Sequence, residues 1–199
     1  GDVMKVIFGG AFNPVTNAHI AVYQYVIKKV KSEEFIFLPV SSAYTKSMLA
    51  SNYHRLNMLE LALEDFKNVR VSELEMNDSD FLGTYQSLIR FSDGENCQLG
   101  FVIGADNLID MEHWINIEGI LSEFKIIVLG RNGLDINALI TKNTVLNKYK
   151  SSFIICDDFN MDISSTNFRE TMDKDKVPRK VFEYIIDNGM YQGDDDDRL

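Results

Sequence analysis

Cysteine is scarce in this 199-residue chain: Cys97 and Cys156 stand 59 positions apart, without a Cys-x-x-Cys pair and with three histidines in all. That excludes a disulfide framework and makes no set of zinc ligands. Unpaired thiols suit the reducing cytoplasm, where the protein is expected to work. Positive charge is short as well. Twenty Lys and Arg stand against thirty Asp and Glu, a net charge of −10. Broad nucleic-acid or anionic-membrane binding needs a basic surface, so both are excluded as partners. A small anion is not, because a few placed donors can hold a phosphate inside an acidic protein. No apolar run is longer than a strand, so no span of a membrane is expected. The opening Val3-Met4-Lys5-Val6-Ile7-Phe8 is too short in apolar length for a signal peptide.

What is present reads as globular. Apolar residues make up 45% and charged residues 25%, and 13 Phe, 8 Tyr and one Trp supply material for a sizeable core. The length fits one domain over 1–199. A helical C-terminal part is expected over 160–190, and an acidic, solvated tail over 193–199.

Short apolar runs alternate with longer amphipathic stretches. Val6–Phe8, Phe35–Leu38, Val69–Val71, Leu99–Ile103, Lys125–Leu129 and Ser152–Ile155 read as strands. Ile20, Tyr23, Val26, Ile27 and Val30 recur at helical spacing, as do Leu56, Leu59, Leu63 and Phe66. Thr84 to Phe91 and the stretch through Val181, Phe182, Ile185 and Ile186 complete the helical set. Strands alternating with helices predict an α/β fold with a doubly wound parallel sheet covered on both faces. Ligands bind such sheets beyond the carboxyl ends of the strands.

The loop after the first strand is Gly9-Gly10-Ala11-Phe12-Asn13-Pro14-Val15-Thr16-Asn17-Ala18-His19. Glycines let backbone approach a ligand closely, and a helix start offers unpaired N–H groups and the positive end of the dipole. Thr16 and His19, three apart, can face one spot. Taken by itself the segment is either an anion site or a strand–turn–helix corner with a capping Thr and a half-buried His. It is neither a P-loop nor Gly-x-Gly-x-x-Gly. Near the other end, Ile163-Ser164-Ser165-Thr166-Asn167-Phe168-Arg169 feeds a second helix start. Hydroxyls and a guanidinium there describe a polyphosphate clamp, or an ordinary Ser/Thr cap with a surface Arg.

Together the two segments resemble the motifs of the His-x-Gly-His nucleotidyltransferase superfamily, with Thr16 in place of the first His and Ala18 in place of the Gly. The resemblance implies a Rossmann-like nucleotidyltransferase fold. It implies that Gly9, Gly10, Ala11, Phe12 and His19 meet ATP, with Ser164, Ser165, Thr166 and Arg169 on its phosphates. Thr16 and His19 become the catalytic pair, and Gly104 and Asp106, in a Gly-Ala-Asp turn, lie against the ribose and adenine. The middle of the chain is similar to the nicotinate and nicotinamide mononucleotide adenylyltransferases, through Pro39-Val40-Ser41-Ser42-Ala43-Tyr44-Thr45-Lys46, Gly83-Thr84-Tyr85-Gln86 and Leu129-Gly130-Arg131. This implies mononucleotide binding by Asn13, Lys46, Thr84, Trp114 and Arg131, with Trp114 stacked on the pyridine. The implied reaction is adenylyl transfer from ATP to a pyridine mononucleotide in NAD biosynthesis, with a Mg²⁺ ion bridging phosphates and no metal site of protein ligands. Pantetheine-phosphate adenylyltransferase, which shares Thr-x-x-His, is the alternative enzyme; a cytidylyltransferase and a non-catalytic nucleotide-binding regulator are the others. Oligomeric state and the choice between nicotinate and nicotinamide are not legible.

Overall fold

The structure is a computed structural model that describes residues 4–42, 50–78, 81–92, 97–163 and 165–192. Six strands form one sheet: β1 (Met4–Gly10), β2 (Ser32–Pro39), β3 (Val69–Val71), β4 (Gln98–Gly104), β5 (Lys125–Gly130) and β6 (Phe153–Asn160). Their order is β3-β2-β1-β4-β5-β6, and every neighbouring pair is parallel. The chain winds outward from β1 to β3, crosses back to β4 and winds outward again. The crevice therefore opens between the carboxyl ends of β1 and β4, where a doubly wound sheet takes its ligand.

Strand alternation divides the core. Val6, Phe8, Phe35 and Phe37 point to one face, and Ile7, Ile36 and Leu38 to the other. On the first face pack α1 (Asn17–Lys29), α2 (Asn52–Leu63) and α8 (Arg179–Asp187). On the second pack α3 (Thr84–Ser92), α4 (Ile117–Glu123), α5 (Ile136–Thr141) and α6 (Thr144–Lys148). The remaining helix, α7 (Ser165–Thr171), follows β6 and buries Phe168 in the first cluster. Among the described residues no helix is long and apolar enough to cross a membrane.

Two helical faces differ from the spacing argument. In α1 the buried stripe runs through His19, Ile20, Val22, Tyr23 and Val26, whereas Ile27 is 38% exposed. Turning the stripe this way brings His19 inward against Phe8 and Phe12. In α2 the buried side is Arg55, Met58, Leu59, Ala62 and Leu63, with Leu56 and Phe66 at its margin. A fully buried arginine turns that helix toward the first loop. The short helices α5 and α6 were absent from the sequence reading, being too brief for periodicity to register.

Candidate active site

The first loop leaves β1 at Gly10, whose carbonyl accepts the Val40 N–H at 3.0 Å, and enters α1 through Thr16. The cap is reciprocal. Thr16 Oγ1 accepts the His19 N–H at 3.4 Å, and His19 Nδ1 accepts the Thr16 backbone N–H at 2.9 Å. A backbone N–H can only donate, so Nδ1 is unprotonated and the proton of the neutral ring sits on Nε2. Thr16 Oγ1 also lies 3.0 Å from Nδ1. Burial lowers the His19 pKa from 6.5 to about 3. The ring is thus a neutral, oriented Nε2–H donor beside the positive end of a 13-residue helix.

Charged and hydroxyl side chains lock this loop to distant elements. Arg55, 0% exposed, donates through Nε to the Ala50 carbonyl, through one terminal nitrogen to the Ala11 carbonyl at 2.8 Å, and through the other to Asn52 Oδ1 at 2.7 Å. Arg169 donates to the Asn13 carbonyl at 2.7 Å and to Thr166 Oγ1 at 3.1 Å. Ser165 Oγ donates to the Pro14 carbonyl at 2.9 Å. Asn13 Oδ1 accepts from the Ala50 N–H and from the Tyr191 hydroxyl. Phe12 holds a left-handed backbone at φ 48° while its ring packs against Phe8, Phe37 and His19. Such a conformation costs a non-glycine residue and persists where surrounding packing over-determines it.

Three cavities surround this corner. A polar one of about 560 Å³ lies over the α1 start, against Thr16, Asn17, Ala18, Asp162, Asn167, Asp175 and Lys176. A second, of about 340 Å³, sits at the β1/β4 switch point and gathers Gly9, Gly10, Phe12, His19, Thr84, Gly104, Trp114 and Arg131, together with Phe101, Asn107, Met161 and Ile163. A third, of about 230 Å³, continues past Gly9, Gly10, Thr84 and Phe101 to Leu38, Val40, Glu75, Phe81, Ser87 and Leu88. At Gly104 a Cβ would come within 2.8 Å of Asp106 Oδ1 and 3.2 Å of Met161 Sδ, so a side chain there would displace the ends of those two side chains.

Eight expected residues thus meet at the switch-point cavity, and Thr16 stands on the polar one. Asp106 is held beside it by Arg131, 3.8 Å from its carboxylate. Ala11 and Asn13 face inward: the Ala11 carbonyl and the Asn13 side chain are bonded within the protein, and Asn13 is 2% exposed. Ser165 and Arg169 are bonded to the first loop, and Arg169 to Thr166, but the three line none of these cavities. Lys46, Ser164 and the 193–199 tail lie outside the described residues. Sequence reasoning gave no role to Arg55, Asn17, Asp162 or Lys176. For Arg55 a signal existed: four residues before Leu59, it is a charge on the apolar side of α2. Among the described residues no group of three or more His, Cys, Asp or Glu could hold a metal ion.

Comparison with known proteins settles the lineage. The cytidylyltransferase-like family matches residues 7–171. The chain belongs to that family. A Clostridium acetobutylicum protein named "Probable nicotinate-nucleotide adenylyltransferase" is 32% identical over 94% of this chain and 98% of its own. A Clostridium tetani protein of the same name is 29% identical over the same shares. Among solved structures, the Plasmodium falciparum nicotinic acid mononucleotide adenylyltransferase complexed with NaAD superposes with a TM-score of 0.75 at 20% identity, covering 96% of this chain and 98% of that one. The doubly wound nucleotidyltransferase architecture is therefore shared.

Proposed function

We propose that this chain is a nicotinate-nucleotide adenylyltransferase, which transfers the adenylyl group of ATP to nicotinate mononucleotide and releases pyrophosphate in NAD biosynthesis. The observation that carries the reading is the junction of the first loop with the Ser165–Arg169 turn: two phosphate-type motifs, about 150 residues apart, are bonded to each other at the crevice. The choice of nicotinate mononucleotide as the acceptor is supported by the names of the relatives.

In this reading an acceptor phosphate oxygen attacks the α-phosphorus of ATP, the bond to the β-phosphate bridging oxygen breaks, and pyrophosphate departs. Both reactants are anions, so positioning and charge stabilisation provide the catalysis. His19 donates from Nε2 to a phosphate oxygen as charge builds, and Thr16 holds the ring in that tautomer. Arg169, Thr166 and Ser165, together with Ser164, hold the outer phosphates. Gly9, Gly10, Ala11 and Phe12 supply close-approaching backbone, and Gly104 and Asp106 the nucleoside wall. Trp114, Thr84, Arg131 and Lys46 serve the mononucleotide, with Asn13 supporting them from inside the first loop through its bonds to Ala50 and Tyr191. The sparse carboxylate set fits a Mg²⁺ held mainly by substrate phosphates and water, with Asp162 and Asp175 the carboxylates that line the polar cavity; the ion would neutralise phosphate charge. Cytoplasmic location belongs to the same reading, supported by two cysteines outside any disulfide.

A pyrophosphate-release assay with ATP and, in turn, nicotinate mononucleotide, nicotinamide mononucleotide and phosphopantetheine tests it. Release with nicotinate mononucleotide above the others is expected; release only with phosphopantetheine, or with none, overturns it.

A further inference from the structure

The start of α3 beside Thr84 is tied down by a residue without a role so far. Glu75, between β3 and α3, is 4% exposed, and its carboxylate accepts the hydroxyl of Ser87, itself 6% exposed. Ser87 lies one helical turn after Thr84, so both side chains stand on the same face of α3. Glu75, Ser87 and Thr84 together line the 230 Å³ cavity, and Thr84 faces the switch-point cavity as well. A second tie joins the same segments: Arg90 grips Asp78 through two bonds of 2.6 and 3.1 Å. Asp78 repels and Arg90 attracts the Glu75 charge, and burial pushes its pKa up.

A carboxyl so enclosed carries a desolvation cost that an apolar side chain of similar volume avoids. What it supplies instead is direction. The apolar residues of α3, Leu88, Ile89 and Phe91, pack against the second core cluster, and hydrophobic burial is by itself non-directional. A hydrogen bond to Ser87 adds a direction. Side-chain atoms lie about 5 Å from a helix axis, so a rotation of roughly 20° would carry the Thr84 hydroxyl nearly 2 Å from its place.

We infer that Glu75 is a positioning residue for the acceptor: by holding Ser87 it sets the rotation of α3 and with it the placement of Thr84 at the pyridine ring. The inference rests on the reading above that Thr84 serves the pyridine mononucleotide.

The test is steady-state kinetics in both substrates, with thermal midpoints, for Ser87→Ala, Glu75→Ala and Glu75→Gln. Ser87→Ala and Glu75→Ala should raise the KM for nicotinate mononucleotide about tenfold, the scale of one lost oriented bond, with the KM for ATP within about twofold. Glu75→Gln retains an oxygen that accepts the Ser87 hydroxyl, and should keep the acceptor KM within about threefold of the parent. An unchanged acceptor KM in Ser87→Ala overturns the inference. So does a parallel rise in both KM values with a lowered midpoint, or a Glu75→Gln as impaired as Glu75→Ala. The unaltered protein separates the two levels of the argument. If it releases no pyrophosphate with either pyridine mononucleotide, the functional reading falls and this inference with it. If it turns over while Ser87→Ala keeps its acceptor KM, the function stands and the role of Glu75 falls.

Discussion

The two halves of the crevice are held in shape by different means. On the phosphate half, side chains reach backbone as well as one another: Thr16 and His19 cap each other, Arg55 holds the Ala11 carbonyl, Arg169 the Asn13 carbonyl and Ser165 the Pro14 carbonyl. On the acceptor half, side chains are bonded to side chains, Ser87 to Glu75, Arg90 to Asp78 and Tyr85 to Glu123, and the rim is apolar and open, with Phe81, Leu82 and Ile115 50%, 62% and 65% exposed. Backbone anchoring suits a site that must aim donors at developing charge, where reorganisation during the reaction would cost rate. Side-chain tethering on an open rim suits recognition of a flat ring. Changes on the first half should therefore act on kcat or on ATP, and changes on the second on acceptor KM.

The largest effect belongs to His19→Ala, which removes the oriented donor. We expect kcat to fall about 10²-fold or more with the circular dichroism spectrum unchanged. Near-normal turnover in a folded variant would break the phosphate half of the comparison. Arg55→Met comes next and acts on stability. It deletes three bonds to carbonyl and amide oxygens, about 3 kcal/mol, so Tm should drop by roughly 10 °C. A drop of a degree or two would show that the first loop does not depend on α2.

His19 also sharpens the contrast through pH. Its pKa is near 3 in the fold and 6.5 in an unfolded chain. The stability it contributes as a neutral ring is present above pH 6.5 and is lost as pH falls from there toward 3. A ¹³C- or ¹⁵N-detected NMR titration of the ligand-free protein should show no His19 midpoint near 6.5. Bound ATP should move the midpoint upward, because a phosphate anion favours the imidazolium. A ligand-free midpoint close to 6.5 would mean the ring is open to water. The smallest effect is optical: with one Trp in the chain, nicotinate mononucleotide alone should quench Trp114 fluorescence saturably, and ATP alone should quench it less. Equal quenching by both would blur the two halves.

The two segments proposed to bind phosphate were legible in the sequence because each is local. Thr16 and His19 are three apart, and Ser165, Thr166 and Arg169 share one turn. The bonds that join those segments were not, since Arg55 meets a carbonyl 44 positions away, Arg169 one 156 away and Tyr191 an amide 178 away. Apolar runs gave the strands and the doubly wound sheet, because strands buried on both faces announce themselves as continuous hydrophobic stretches. Rotation of α1 and α2 about their axes escaped periodicity. His19 and Arg55 are polar residues placed inward by ring contacts and carbonyl partners that hydropathy does not register. Glu75 and Ser87 are only twelve apart, yet each is an ordinary surface residue type, and burial alone gives the pair its meaning.

Most direct for the claim of two separate halves is a pair of Michaelis constants, for ATP and for nicotinate mononucleotide, measured in Arg169→Ala and in Trp114→Ala. Arg169→Ala should raise the KM for ATP about tenfold and leave the acceptor within about twofold, as expected for a lost charge-assisted phosphate contact. Trp114→Ala should do the reverse, having lost an aromatic face. The same constant moving in both variants, or both constants moving equally in each, would contradict the division of the crevice.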